Sequence, residues 1–166
     1  MQPPSTHPVI RQAATNDLDD LLPLFEGYLA FYGIHHPDQV TVRRYLGDRL
    51  ALGDTVVLLA RTASGRPLGF AHLFPSFTSL GMAPIWVLND LYVGAHARGL
   101  GVGQALLDAV TEHARRTGRA RVVLETATDN RPARALYERH GFQPAQGFIT
   151  YSLAVDAPAG AQATHA

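Results

Sequence analysis

The sequence predicts one mixed α/β domain, with a mixed sheet that carries helices on both faces. Two observations support this prediction. The chain has 166 residues, of which 46% are hydrophobic, which suits a single domain with a proper core. Segments with helical periodicity alternate with segments rich in β-branched and aromatic residues. The predicted domain spans residues 9–155, because residues 1–8 and 156–166 are rich in Pro or in Ala and Gly, lack periodicity and are expected to be flexible.

Two helices are predicted near the start of the domain. From Asn16, apolar residues recur at three- and four-residue steps until Gly33 ends the pattern, and a second, shorter helix follows Thr41. The predicted inward positions are Leu18, Leu21, Leu22, Phe25, Tyr28, Leu29 and Tyr32 in the first helix, and Val42, Tyr45, Leu46 and Leu50 in the second.

Three strands and a helix are expected next. Residues 54–74 and 83–93 are rich in β-branched and aromatic residues and are punctuated by turn residues, which predicts three strands, the first two of them a hairpin. After a glycine-rich loop, an apolar stripe begins at Val102 and ends near Gly118, which indicates a helix.

A strand, a helix and a last strand complete the domain. The apolar segment Ala120–Ala127 predicts a buried strand. Asn130 and Pro132 then start a helix, and Gly141 stands where a left-handed cap is expected. The segment GFITYSLAV, Gly147–Val155, supplies the last strand.

The composition excludes several classes of protein. The chain has no Cys, which removes disulfides, Cys-ligated metals and Cys-linked acyl intermediates and favours the cytoplasm. Fourteen Lys and Arg residues, all of them Arg, balance fourteen acids, so neither nucleic acid nor an anionic membrane is an expected partner. Without Lys there is no Schiff base and no Walker-type phosphate loop. No basic region precedes an apolar run and no apolar run reaches about 18 residues, so neither export by a standard signal nor a membrane span is predicted.

The glycine-rich loop ARGLGVG, Ala97–Gly103, predicts an anion site. A helix N-terminus leaves about four backbone N–H groups unpaired and carries roughly half a positive charge. Gly99, Gly101 and Gly103 lack the Cβ atoms that would keep an oxyanion away, and Arg98 adds a positive charge. Glycines alone are equally typical of a flexible turn. The loop comes too late in the chain, and with the wrong spacing, for a dinucleotide-binding fingerprint.

The order of these motifs resembles the GNAT acetyltransferase superfamily. Strand NDLYV, Arg98 to Gly103 in an R-x-x-G-x-G pattern, a long helix, strand ARVVLETA and N-x-x-x-x-x-x-Y followed by GF stand in the family's order. The similarity extends over about residues 8–155. Within the superfamily, VLNDLYV, ARGLGVG and NRPARALYERHGF most resemble small diamine and thialysine acetyltransferases and histone-acetyltransferase-like proteins. The resemblance implies a mostly antiparallel sheet of about six or seven strands with a splayed central pair.

The resemblance also implies acetyl-CoA as co-substrate and no metal. In similar enzymes, backbone amides of the glycine loop hold the pyrophosphate, and pantetheine lies between the strand of Leu91 to Val93 and the strand of residues 121–127, where a free N–H stabilises the thioester oxygen. Tyr137 matches the acid that protonates the CoA thiolate, and Asn130 matches the residue that caps its helix and contacts CoA. The implied cofactor-binding residues are Leu91, Tyr92, Val93, Arg98, Gly99, Leu100, Gly101, Val102, Gly103, Asn130, Arg134 and Tyr137.

The identity of the base stays open at this point. Removing a proton from an amine with a pKa of about 10.4 costs roughly 4.6 kcal/mol at neutral pH, so an acidic or desolvating cleft is expected. Diamine acetyltransferases carry Glu-Asp where this chain has Asn89-Asp90, and Asn takes no proton. Strand alternation sends Asp90 to the face opposite Asn89 unless a bulge intervenes. His72 is the alternative base, and a structural role is the alternative for both Asp90 and His72.

The acceptor pocket is assigned to helix 1 and the following loop. The implied substrate-binding residues are Glu26, Tyr28, Tyr32, Asn89 and Asp90. This set is poor in carboxylates, which favours a small amine or an amino acid derivative over a polyamine. His35 and His36 have no third ligand at useful spacing, so no metal is predicted.

The predicted function is N-acetylation of a primary amine on a small molecule, by direct attack on acetyl-CoA. A protein or peptide N-acetyltransferase is the alternative enzyme, and a non-catalytic acyl-CoA-binding regulatory module is the alternative from another class. The last strand of similar proteins often reaches a neighbouring subunit, so the resemblance also implies a homodimer.

Overall fold

The computed structural model describes residues 7–34, 38–147, 149–153 and 155. The chain divides after Glu125 into two compact units, Met1–Glu125 and Thr126–Ala166. Of the segments expected to be flexible, residues 1–6 and 156–166 lie outside the described residues, and His35 and His36 do too. The single domain of residues 9–155 stays a prediction.

The first unit contains five strands and three α-helices. The strands are β1 (Val9–Gln12), β2 (Val56–Arg61), β3 (Pro67–Thr78), β4 (Ala83–Val93) and β5 (Val122–Val123), and the helices are α1 (Leu18–Phe31), α2 (Gln39–Leu52) and α3 (Val102–Arg116). The strands form one sheet in the order β1-β2-β3-β4-β5, with three antiparallel pairs and a parallel β4–β5 pair. The predicted mixed, mostly antiparallel sheet is confirmed, although it has five strands among the described residues instead of six or seven.

Helices cover both faces of this sheet, as predicted. Phe70 on β3 lies in a buried cluster with Leu21 and Phe25 of α1 and with Val42 and Leu46 of α2. The adjacent residue, Gly69, points to the other face, where the nearest side-chain atom to an added Cβ belongs to Leu106 of α3, at 3.4 Å. Because neighbouring residues of a strand point to opposite faces, α1 and α2 lie on one face and α3 on the other.

Strands β3 and β4 are interrupted by a β-bulge at Asn89. His72 pairs with Asp90, but Leu73 pairs with Leu88, so Asn89 is the extra residue on β4. A bulge of this kind reverses which residues share a face on either side of it. Asp90 therefore lies on the α1 face with its partner His72, while Leu88 lies on the α3 face.

Strand β4 continues well beyond its pairing with β5. The parallel register joins only Trp86 to Val122 and Val87 to Val123, whereas β4 runs on to Val93. The predicted strand over residues 120–127 is therefore confirmed only at two residues. After Val123 the chain no longer pairs with β4. One edge of β4 beyond Val87 is therefore not paired with β5, at the place where the sequence predicts a splayed pair of strands.

Among its described residues, the second unit contains one helix, α4 (Arg131–His140). Both of its predicted ends are confirmed: the Asn130 side chain accepts a hydrogen bond from the Ala133 amide, and Gly141 adopts a left-handed φ of 104°. The predicted last strand is not found, because the described residues of 147–155 form no ladder; Phe148 and Ala154 lie outside the described residues. Alternating apolar residues make a segment compatible with a strand, but a strand also requires a paired neighbour.

Candidate functional site

A buried polar cluster lies on the α1 face of β3 and β4. His72 is completely buried, and its Nε2 lies 2.8 Å from Thr55 Oγ1, a residue that immediately precedes β2. On the other side of the ring, Nδ1 lies 3.2 Å from Asp90 Oδ2, a contact that lacks the geometry of a hydrogen bond. The two proposed bases are therefore neighbours, and only Asp90, at 5% exposed, reaches the surface at all.

The bulge at Asn89 explains how Asp90 reaches this position. Asn89 is exposed, and its side-chain amide donates a hydrogen bond of 3.2 Å to Asp90 Oδ1. One carboxylate oxygen therefore accepts from Asn89 and the other faces His72. Asn89 replaces the acid of the diamine enzymes with a donor that orients the next residue's carboxylate.

Aromatic side chains continue from this carboxylate along α1. The ring of Tyr28 lies 5.1 Å from that of Tyr32 and 6.4 Å from that of Tyr92, and the Phe31 ring lies 5.2 Å from that of Tyr32. Partial burial raises the pKa of Tyr32, and the negative charge of Asp90 raises it further. The same two effects raise the pKa of Tyr45. We call the set Tyr28, Phe31, Tyr32 and Tyr92 the aromatic wall.

The Tyr92 side chain packs closely against α1 at Gly27. A Cβ added at Gly27 would lie 2.6 Å from the Tyr92 hydroxyl oxygen, closer than any side chain tolerates. Glycine in a helix interior costs roughly 0.5–1 kcal/mol relative to alanine. The close approach of the Tyr92 phenol is the physical reason for glycine at this position.

The glycine loop connects β4 to α3 through two left-handed residues. Gly99 and Gly101 have φ values of 76° and 77°, and no heavy atom outside their immediate neighbours lies within 4 Å of an added Cβ at either position. The Ala105 amide bonds to the Gly101 carbonyl, so the amides of residues 102–104 precede the first intrahelical bond of α3. This segment has the open space and the amides that a pyrophosphate requires.

The Arg98 side chain contacts the end of β4 and two aromatic rings. Its Nε donates to the Val93 carbonyl oxygen at 3.2 Å, and its guanidinium carbon lies 5.7 Å from the Phe31 ring centroid and 5.8 Å from that of Tyr92. The guanidinium is thus held against the aromatic wall by cation–π contacts.

The other predicted site residues take different positions. Glu26 accepts a hydrogen bond of 3.0 Å from Gln39 and so links α1 to α2. Val102 is buried in the core, whereas Leu100 is 65% exposed. Leu91 and Val93 are half-buried on the α3 face of β4. Gly103 lies in the first turn of α3.

The second unit holds the remaining predicted residues. Tyr137 is half-buried, and its ring lies 5.9 Å from that of Phe142 in an edge-to-face arrangement. Arg134 donates a hydrogen bond of 2.9 Å to the Thr128 carbonyl. Their roles toward acetyl-CoA stay predictions.

Two residues of the first unit, Thr55 and Phe31, contact predicted site residues but were not themselves predicted. Thr55 binds His72 but lies 17 positions away along the chain, and only the β2–β3 register brings the two together. Phe31 is half-exposed at the end of α1, where its ring lies 5.7 Å from the Arg98 guanidinium carbon, and it was not among the residues named from the sequence.

Neither a metal-ligand cluster nor a membrane-spanning helix occurs among the described residues. Within the part of the chain that the structure describes, no three His, Asp or Glu side chains are grouped as a metal site requires. The described helices are also too short or too polar for any of them to cross a membrane.

Comparison with known proteins identifies the family. The sequence profile of the acetyltransferase (GNAT) family matches residues 20–142. The uncharacterized N-acetyltransferase YhfO of Bacillus subtilis is 40% identical over 148 residues, which cover 89% of this chain and 98% of the relative. The D-amino-acid N-acetyltransferase of Saccharomyces cerevisiae is 28% identical and aligns over 81% of this chain and 84% of its own.

A crystal structure described as a probable acetyltransferase has 38% sequence identity and a TM-score of 0.83, and the alignment covers 90% of this chain and 99% of that one. These similarities do not single out the diamine and thialysine enzymes, so that closer resemblance stays a prediction. The chain belongs to the acetyltransferase (GNAT) family and is a GNAT-type N-acetyltransferase, a class whose typical co-substrate is acetyl-CoA.

Proposed function

We propose that the protein transfers an acetyl group from acetyl-CoA to the primary amine of a small molecule, with Asp90 as the group that receives the amine proton. The observation that carries this proposal is the bulge at Asn89, which turns the Asp90 carboxylate onto the α1 face, against His72 and beside the aromatic wall. A carboxylate attracts an ammonium group, and as a general base it can receive the proton that the amine must lose.

His72 acts through Asp90. Because the ring is completely buried, it does not reach an acceptor, and its two nitrogens face Thr55 and Asp90. We assign Thr55 and His72 as positioning residues, which hold the carboxylate in one orientation. Since Asp90 is 5% exposed, a single water between the amine and the carboxylate completes the path for the proton.

The glycine loop supports the assignment of acetyl-CoA as donor. The open space at Gly99 and Gly101 and the first-turn amides of α3 fit a pyrophosphate, and the part of β4 beyond its pairing with β5 has one edge that can offer backbone groups to the pantetheine chain. In this assignment the loop contributes its amides, and Arg98 stays a predicted cofactor-binding residue.

In the transfer, the amine nitrogen loses one proton and the sulfur of CoA gains one. The nitrogen of the free amine forms a bond to the acetyl carbon, and the bond from that carbon to sulfur breaks. The amine proton goes toward Asp90, and the sulfur takes a proton from Tyr137. The role of Tyr137 rests on the resemblance of NRPARALYERHGF to the family motif and on the half-buried position of its phenol.

A free-thiol assay tests the proposal. Acetyl-CoA is incubated with small amines, amino acids, polyamines and a Lys peptide, and the released thiol is measured with a thiol reagent; the protein adds no background because it has no Cys. We expect release that depends on a small amine, a decrease in kcat of about 100-fold or more for Asp90→Asn, and an unchanged KM for acetyl-CoA. The exposed Asp48 of α2 provides the control variant Asp48→Asn.

Two outcomes contradict the proposal. Release with the Lys peptide alone indicates a protein N-acetyltransferase. An increase in melting temperature with acetyl-CoA, without release for any acceptor, indicates a binding module. For the acid, Tyr137→Phe is expected to lower kcat with little change in acetyl-CoA affinity, and full activity of this variant removes Tyr137 from the mechanism.

A further inference from the structure

An apolar pair of residues adjoins the Asp90 carboxylate on the same face of the sheet. His72 Nδ1 lies 3.2 Å from Asp90 Oδ2, and the ring of Phe74, two residues further along β3, lies 4.5 Å from the His72 ring. Alternation along β3 places Phe74 and His72 on one face, and Val87 of β4 pairs directly with Phe74 on that face. We call the pair Phe74 and Val87 the apolar floor.

Burial of this face changes at the pair formed by His72 and Asp90. On one side of the pair, Phe70 is completely buried in the cluster that β3 forms with α1 and α2. On the other side, both residues of the apolar floor are only half-buried. The carboxylate therefore lies between a part of the face that the two helices close and a part that is accessible to an acceptor.

The residues that follow Asp90 along this face are uncharged. Beyond the apolar floor, the next pair on the face is Ser76 with Ile85. Two strand positions separate the apolar floor from the level of Asp90 by roughly 7 Å. A second charge at that distance from the amine nitrogen would lose water without gaining a partner, whereas an apolar group there is favourably removed from water.

We propose that the acceptor is a primary monoamine whose apolar or aromatic group, several bonds from the nitrogen, packs on Phe74 and Val87 while the amine is directed toward Asp90. This inference rests on the proposed acetyl transfer and names its substrate class. Phe74 and Val87 are then specificity-determining residues. A diamine is disfavoured because its second ammonium lies on hydrocarbon, and an amine with a carboxylate at its far end is disfavoured for the same reason.

The test uses acceptors of nearly the same shape that differ in charge at the far end. Pentylamine is paired with 1,4-diaminobutane and 5-methylhexylamine with 5-aminopentanoate, and propylamine is the short reference that does not reach the apolar floor. Thiol release gives kcat/KM for each acceptor and KM for acetyl-CoA in the parent, Phe74→Ala, Val87→Thr and Val87→Asp. The matched controls are Val9→Thr and Val9→Asp, at an exposed valine of β1.

We expect the parent to prefer each apolar amine over its charged partner by about 10-fold or more, and pentylamine over propylamine by about 4- to 16-fold, or two- to fourfold for each methylene. Phe74→Ala and Val87→Thr lower the second ratio. Val87→Asp reverses the first ratio in favour of 1,4-diaminobutane, because the new carboxylate faces the second ammonium. The KM for acetyl-CoA changes by less than about twofold in each variant, and the Val9 variants keep both parent ratios.

Three results overturn the inference. Equal use of the paired acceptors by the parent, or a preference for the charged ones, shows that the far end of the acceptor meets no apolar surface. Parent ratios in Phe74→Ala and Val87→Thr show that these residues do not contact the acceptor; melting temperatures establish folding, and Val87→Thr decides if Val87→Asp does not fold. Release with the charged acceptors only leaves the proposed function intact while removing this inference, whereas no release with any acceptor removes both.

Discussion

His72 and Asp90 face each other across β3 and β4, with Nδ1 of the ring 3.2 Å from Oδ2 of the carboxylate, and Thr55 contacts the opposite ring nitrogen at 2.8 Å. This row of three side chains runs from the residue that precedes β2, across β3, to β4. Because each side chain contacts the next, a change at Thr55 is expected to alter the position of the Asp90 carboxylate, although Thr55 itself is remote from any acceptor.

We expect Thr55→Val to lower kcat several-fold and to leave the KM for acetyl-CoA unchanged. Valine has the same shape but no hydroxyl, so the buried His72 Nε2 loses its partner, at a cost of about 1–3 kcal/mol in the free energy of unfolding. Thr55→Ser restores the hydroxyl and is expected to recover the activity. Equal kcat in Thr55→Val and Thr55→Ser, measured by thiol release, would show that Thr55 does not position His72.

Gly27→Ala and Gly47→Ala are expected to have opposite effects on stability. Both glycines lie inside helices, where alanine is intrinsically favoured by about 0.5–1 kcal/mol. An added Cβ at Gly47 comes no closer than 3.6 Å to Leu18, but at Gly27 it lies 2.6 Å from the Tyr92 hydroxyl. Overpacking of this kind costs about 1–3 kcal/mol.

Denaturant titration is the measurement for this pair. Gly47→Ala is expected to raise the free energy of unfolding, and Gly27→Ala to lower it and to increase the KM for the acceptor, because Tyr92 must move within the aromatic wall. Equal stabilisation by both substitutions would mean that Tyr92 moves aside at no cost.

Gly101→Ala is expected to raise the KM for acetyl-CoA several-fold. The residue has a φ of 77°, a conformation that costs a non-glycine residue roughly 1 kcal/mol or more, and its Cβ would occupy the open space of the loop that is assigned to the pyrophosphate. Gly53→Ala, at the C-cap of α2 with a φ of 62°, carries a similar backbone cost in another place. If the two variants change the KM equally, the effect comes from stability and not from the phosphate site.

Asp17 is expected to control stability in acid. The carboxylate is 3% exposed and accepts hydrogen bonds of 2.7 Å from Arg11 and from Arg61. The hydrogen bond from Arg11 outweighs burial and, with the Ala14 amide and Arg61, holds the pKa of Asp17 well below its ordinary 3.8. Because the unfolded chain binds this proton more readily, the contribution is complete above about pH 4 and is lost as pH falls toward the folded pKa.

Asp17→Ala therefore destabilises the protein by about 1.5–3 kcal/mol at pH 7, since it removes charge-assisted hydrogen bonds from Arg11 and Arg61, although Arg61 keeps its ion pair with Asp20. The control Asp19→Ala removes an exposed pair with Arg43 and costs about 0.2–1 kcal/mol. Urea titrations at pH 7 and pH 3 test both points, and an Asp17→Ala variant whose loss of stability is the same at both values contradicts the assignment.

His113 is expected to reduce stability on mild acidification. Burial lowers the pKa of His113 below 6.5, and the positive charges of Arg116 and Arg119 lower it further. On acidification the unfolded chain therefore binds a proton at His113 more readily than the folded chain does. The contribution of neutral His113 to the free energy of unfolding is complete above about pH 6.5 and is lost as pH falls below it. The melting temperature of His113→Gln should fall less between pH 7 and pH 5.5 than that of the parent, whereas the exposed His96→Gln should follow the parent.

Local features of the sequence determined most of the helices and their ends. Asn130 and Gly141 bound α4, and Gly33 ends α1, because caps and left-handed residues act on their immediate neighbours. Gly99 and Gly101 likewise define the turn into α3 from their own backbone freedom. The order of these motifs was sufficient to predict the family and the mixed sheet.

Pairing between distant segments was decided only by the tertiary structure. The bulge at Asn89 depends on the register of β3 against β4, and no local pattern specifies that register, so the face of Asp90 and its contact with His72 could not be predicted. The strand expected at Gly147–Val155 has suitable alternation but no ladder in its described residues. A segment's own residues determine the conformations it favours, whereas the neighbours it contacts depend on the packing of the whole chain.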